Sequence, residues 1–176
     1  IDELIKSEVF TSKSKRPFNM CQLLTGSEGT LAFTTKIKLK LDPILNKESI
    51  MVLAHFDSIE NCLNAVNIVM QHDLYTCEMM DKTILDCTKH NKTQQENRKF
   101  IQGDPEAILM CELKANTALE VKAASEKLIE NLKLSNLSYA NPNLMGDDIE
   151  KAIQLRNAGL GLLGNIIGDK KSAACI

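Results

Sequence analysis

Gly26-Ser27-Glu28-Gly29-Thr30 is the stretch of this sequence with the most specific chemical potential. Two glycines let backbone N–H groups approach a ligand closely, and the hydroxyls of Ser27 and Thr30 add donors. The stretch lacks the Gly-Lys-Ser/Thr ending of a phosphate-binding P-loop. On the residues alone, a plain turn leading into a strand explains it more economically than a ligand cradle. Gly159-Leu160-Gly161-Leu162-Leu163-Gly164 spells a dinucleotide-binding GxGxxG. It follows an expected helix rather than a strand, and no acidic residue stands about 20 residues beyond it, so it reads as an apolar loop or helix end.

The other reactive side chains are dispersed. Cys21, Cys62, Cys77, Cys87, Cys111 and Cys175 form no CxxC pair, and His55, His72 and His90 share no zinc-like spacing with them. The cysteines are expected to be reduced and to act as small hydrophobes, which points to a cytoplasmic protein. His55 lies in an apolar run and is expected to be a packed structural histidine.

Composition narrows the class. Of 176 residues, 44% are hydrophobic and 25% charged, enough apolar material for a real core. A net charge of -2 argues against nucleic-acid binding through a strong positive field. No apolar run approaches the length of a membrane-spanning helix. The first residue is Ile1 rather than Met, so the chain is expected to be a piece of a longer protein.

The elements that must position these groups follow from periodicity. Residues 31–41 alternate, with Ile37, Leu39 and Leu41 on one side and Lys36, Lys38 and Lys40 on the other, as in a half-buried strand. Residues 51–56 form a buried strand. Asp57 with Glu60 signals a helix start, and Ile59, Cys62, Leu63, Val66 and Val69 share a face. A strand over 74–77, a helix over 79–88, a polar loop over 91–99 and a strand over 107–113 come next. Thr117 with Glu120 repeats the capping signal, and a fourth strand is expected over 137–140. Asp147 with Glu150 opens a last helix. With the helix over 79–88 set aside as an insertion, the order is βαββαβ. The expected fold is α+β: a ferredoxin-like antiparallel sheet with helices on one face.

The run Leu23-Leu24-Thr25-Gly26-Ser27-Glu28-Gly29-Thr30-Leu31-Ala32-Phe33-Thr34-Thr35 resembles the end of the FAD-binding domain in FAD-linked oxidases. These include D-lactate dehydrogenases, D-2-hydroxyglutarate dehydrogenases and glycolate oxidase flavin subunits. Glu78-Met79-Met80-Asp81 is similar to the family's Glu-hydrophobic-hydrophobic-Asp, and Gly103-Asp104-Pro105 with Leu109-Met110-Cys111-Glu112 to its Gly-x-Pro loop and following strand. Leu155-Arg156 is similar to its Trp-x-hydrophobic-Arg helix, with Ile153 in place of the Trp.

The resemblance implies that residues 1–45 are the last strands of a FAD-binding domain and that 46–176 are an α+β cap domain truncated at its C-terminus. It implies FAD as cofactor, contacted by Gly26, Ser27, Glu28, Gly29, Thr30 and Phe33. It aligns Arg156 with the arginine that holds the substrate carboxylate, for which a guanidinium fork is suited. Glu78 and Asp81 are expected as helix-start and packing residues. The implied activity is oxidation of a small 2-hydroxy acid by hydride transfer to flavin, with electrons passed to an acceptor. The catalytic base and any divalent metal would come from residues outside this chain, and the isolated piece is expected to be inactive. The alternative is a self-contained ferredoxin-like module that binds a ligand or pairs into a homo-oligomer through an exposed sheet face or edge.

Overall fold

Ile50 to Phe56 are seven consecutive buried residues in strand β1, Glu48–Phe56. A strand with one wet face would alternate; this one cannot, so it must sit between two apolar layers. In the computed structural model, residues 21–41 and 48–162 are described, and the chain divides into two units, Ile1–Ile44 and Leu45–Ile176. The second unit carries the sheet. Beside β1 lies β3, Ala107–Ala115, antiparallel from Glu48↔Ala115 to Phe56↔Ala107. β2, Thr76–Asp81, flanks β3, and the short β4, Asn143–Met145, flanks β1. All pairs are antiparallel, in the order β2-β3-β1-β4.

Helices cover both faces, not the single face expected. Ile50, Val52, Ala54 and Phe56 pack against α1, Ile59–Val69, and α3, Ala118–Ser135, through Cys62, Ala65, Leu128 and Leu132. Met51, Leu53, Ile108 and Met110 form a second core with Leu85 of α2, Lys82–Cys87, and with Ile149, Ala152 and Leu155 of α4, Asp147–Leu162. The continuous apolar run of β1 is the physical reason: both its faces had to be dried.

Local capping fixes most boundaries. Thr117 and Glu120 form the expected capping box on α3, and Asn136, at φ 54°, ends that helix in a left-handed turn. For α1 the cap is Ser58, whose side chain accepts from the Asn61 N–H at 3.1 Å, one residue past the expected Asp57. The strand expected over 74–77 instead runs from Thr76 to Asp81. Met79 and Met80 are pulled from helix into sheet by pairing with Leu109 and Ile108, and Asp81 then caps α2.

The fourth strand is also displaced. Around 137–140 the chain makes only an isolated bridge, Ala140 to His55, because Pro142 has no N–H to continue the ladder; pairing resumes at Asn143. The expected polar loop contains two 3₁₀ turns, Lys92–Gln94 and Glu96–Arg98.

In the first unit, a helical turn at Cys21–Leu24 precedes the glycine segment. No strand forms over 31–41; Ile37, Leu39 and Leu41 are exposed. Alternation specifies which side chains would be buried, but a strand also needs a neighbouring backbone to bond, and the described residues provide none there. Gly159 and Gly161 lie within α4 close to Leu162, its last described residue, while Gly164 and Cys175 fall outside the described residues. Among the described residues, no helix is long and apolar enough to cross a membrane.

Candidate functional site

The glycine segment is built by tight, local bonds. The Thr25 N–H and hydroxyl both donate to the Cys21 carbonyl at 2.8 Å, and the Ser27 N–H donates to Leu24 O at 3.1 Å. The Thr30 N–H and hydroxyl close the turn on Ser27 O at 2.9 and 2.7 Å. Gly26, Glu28 and Gly29 have φ of 80°, 49° and 79°. Glycine adopts that region freely; at Glu28 it costs about 1 kcal/mol. Among the described residues, no backbone turn bond uses the N–H groups of these three residues. Among the described residues, a Cβ built on Gly26 or Gly29 would meet nothing within 4 Å, which leaves that side of the turn open to an approaching group. Ser27 is half-buried, and Phe33 is 92% exposed.

Arg156 belongs to the other unit, and each unit is described by itself. It projects from α4 over the second core. Its Nε donates to Glu78 Oε2 at 3.0 Å and its Nη1 to Asn157 Oδ1 at 3.0 Å. The remaining guanidinium hydrogens have no partner among the described residues. Arg156 and Glu78 line a cavity of about 120 Å³ with Thr76, Met110, Glu112 and Ile153. Ile153 therefore does stand in the wall beside Arg156.

Glu112 is the buried carboxylate of this region. Ser49 Oγ donates to its Oε1 at 2.7 Å, and Thr76 Oγ1 lies 3.5 Å from Oε2. Lys114 Nζ lies 3.4 Å from Oε1 and 3.5 Å from the centre of the Tyr75 ring. Glu112 and Ile153 also line a larger opening of about 710 Å³ that Lys114, Lys122 and Glu150 border. The region thus offers cationic groups held by carboxylates, an arrangement that can exchange an internal carboxylate for one brought by a ligand.

From sequence, Glu78 and Asp81 are expected as helix-start and packing residues. Asp81 does cap α2, but Glu78 is a strand residue and the ion-pair partner of Arg156. Glu112 was given no role. The signal for both was parity: Thr76 pairs with Glu112 in register, and Glu78 falls on the same face as Thr76.

The histidines take no part. His55 is fully buried, its Nδ1 donates to Leu53 O at 2.9 Å, and its Nε2 accepts from the Gln102 N–H at 3.3 Å. Burial holds its pKa below the ordinary value, partly offset by the Leu53 carbonyl, so it is a neutral packed histidine as expected. Among the described residues, no group of three or more His, Cys, Asp and Glu side chains could hold a metal.

A family described as FAD linked oxidases, C-terminal domain, matches residues 45–175. The chain is similar to a D-2-hydroxyglutarate dehydrogenase of Pseudomonas putida, 24% identical over 159 residues, covering 86% of this chain and 16% of that protein. It is similar to a D-lactate dehydrogenase of Anaerostipes hadrus, 26% identical over 152 residues, covering 82% and 32%. To the glycolate oxidase subunit GlcD of Escherichia coli it is 35% identical over 102 residues, covering 54% and 18%. The chain thus spans 16% of the Pseudomonas relative and about a third of the Anaerostipes one.

Proposed function

Because this chain belongs to the FAD-linked oxidases through their C-terminal domain, we propose that it is the cap-bearing part of a FAD-dependent oxidoreductase acting on a small 2-hydroxy acid. The single observation that carries the assignment to this site is Arg156. It is a half-exposed guanidinium, oriented through Nε by Glu78, with hydrogens left over for an incoming carboxylate. A planar carboxylate suits that fork.

Residues 46–176 are read as the cap. The order β2-β3-β1-β4, with a helix after β1 and another after β3, supports a ferredoxin-like split βαβ sheet. The α2 segment and the 3₁₀ turns are then an insertion between β2 and β3, and α4 adds the second layer. Residues 1–45 are read as the last part of the FAD-binding domain.

The glycine turn fits FAD on its own chemistry. It offers N–H groups in left-handed backbone, an open side at both glycines, and the Ser27 and Thr30 hydroxyls. Gly26, Ser27, Glu28, Gly29 and Thr30 would hold the cofactor, with Phe33 beside it. FAD, when bound, supplies the two-electron acceptor for the alcohol carbon. This chain's residues bind and orient: Arg156 fixes the carboxylate end of the substrate, Glu78 and Asn157 fix Arg156, and Ile153 closes the wall. The proton acceptor for the hydroxyl lies elsewhere in the protein.

The test uses the full-length flavoprotein that carries this chain. Arg156→Ala should raise KM for 2-hydroxy acids by about tenfold or more, with Arg156→Lys between the two. A KM for acidic substrates that does not move in Arg156→Ala removes the assignment.

A further inference from the structure

Two cysteines that share no sequence motif are brought together by sheet register. Cys77 of β2 stands directly opposite Cys111 of β3. The Lys82 N–H donates to Glu106 O at 2.9 Å, which sets the phase of this ladder. Bonded pairs recur at every second residue, at 80 with 108, 78 with 110 and 76 with 112, so Cys77 and Cys111 occupy a non-hydrogen-bonded position. Opposed residues there have Cα atoms about 4.5 Å apart and side chains on one face, within the range a disulfide spans. Both thiols are free, Cys111 fully buried and Cys77 half-buried on an edge strand. We propose that Cys77 and Cys111 are a modification site: a dithiol that reacts with a small disulfide to form a cross-strand disulfide between β2 and β3.

The surroundings give the two sulfurs different roles. A hydrogen bond from the Cys111 thiol, against the opposing pull of burial and of Glu78, brings the Cys77 thiol down to about 7. The same hydrogen bond, and then burial, push the Cys111 thiol up and hold it protonated. Cys77, half-buried against fully buried Cys111, is thus the more accessible nucleophile and Cys111 the resolving thiol. The Cys77 thiolate attacks one sulfur of the small disulfide, forming a mixed disulfide and releasing one thiolate. The sulfur of Cys111 then attacks Cys77 Sγ, the mixed S–S bond breaks, and the Cys111 proton leaves with the second small thiol. Two protein thiols are oxidised by two electrons, and one small disulfide is reduced to two thiols.

A third thiol tests the assignment. Cys62 of α1 packs against the same face, but burial raises its thiol to about 11 and it belongs to no strand pair. The 176-residue protein is exposed under native conditions to a glutathione disulfide/glutathione mixture, free thiols are alkylated, and the digest is mapped by mass spectrometry. The expected product is a Cys77–Cys111 linked peptide, with two thiols lost per chain. Cys111→Ala should stop at a glutathione adduct on Cys77, Cys77→Ser should take up no glutathione at Cys111, and Cys62→Ala should behave as the parent. Far-UV circular dichroism verifies that each variant is folded, and Cys111→Ser replaces Cys111→Ala if the latter is not. A Cys62–Cys77 link, a stable adduct on Cys77 in the parent, or oxidation seen only in denaturant overturns the proposal.

Discussion

Arg156 can serve a ligand only if its long side chain is held, and Glu78 and Asn157 do this while leaving other guanidinium hydrogens unpaired. The pair is partly exposed, so its contribution to stability is small and its value lies in orientation. His55 is the opposite case, a titratable group whose function is packing. Its folded pKa lies below the unfolded value of about 6.5 because burial disfavours the charged ring. Below that value the unfolded chain binds the proton more readily, so stability is retained above about pH 6.5 and lost as pH falls toward the folded pKa. The urea midpoint should therefore drop between about pH 7.5 and about pH 5.5. His72 shifts in the same direction through burial and the nearby Lys127. The His55 share is read as the difference between parent and His55→Gln, which should be less stable at the higher pH and show the shallower decline. At this scale the glycine turn and the packed histidine were legible in local sequence. Glu78 as partner of Arg156 was not, since the two meet only when a helix crosses a strand 78 residues away.

Helices α2 and α4 meet through a glycine. A Cβ on Gly159 of α4 would come within 2.5 Å of Ile84 Cγ2 and 2.9 Å of Ile84 O on α2. The side-chain atom could move; the carbonyl could not. Gly159→Ala would gain helix propensity of up to about 1 kcal/mol but should lose about 1–3 kcal/mol to the clash, a net fall in thermal stability. A rise in melting temperature would show that the two helices separate at no cost. The first glycine of the apparent nucleotide motif is thereby explained by a close crossing of helices. The capping signal marked the start of α3 from sequence because a cap is a contact between residues three apart, whereas α4 starts at the expected Asp147 with an acidic first turn. Met79 and Met80 misled because their helix preference is weaker than the ladder to Leu109 and Ile108, which no local window contains.

At the scale of the molecule, both apolar cores are built from residues between Ile50 and Leu155. Among the described residues, both cores are composed of side chains of the second unit itself. Removing residues 1–44 should therefore shift the melting temperature of the remaining chain by less than about 2 °C and leave its circular dichroism per residue near that of the parent second unit. A collapse of the transition on removal would mean that the second unit is not self-sufficient. The α+β class was legible because strands and helices alternate in periodicity. The second helical layer was not, since an apolar run in one strand reveals that both faces are dry without saying what dries them.

The central position of β1 and β3 also bears on how the chain survives synthesis. Residues 51–56 and 107–111 are strand-forming windows without proline or formal charge, the composition that promotes intermolecular β-assembly when left uncovered. In the folded sheet they are the two interior strands. The edges are guarded by acidic Glu78 and Asp81 on one side and, on the other, by a three-residue strand preceded by Pro142. Yet Glu48 must wait for Ala115 before its ladder closes. During translation β1 therefore emerges well before its partner, so its apolar faces and its β3-pairing edge stay uncovered until β3 is made, a hazard its finished surface does not reveal.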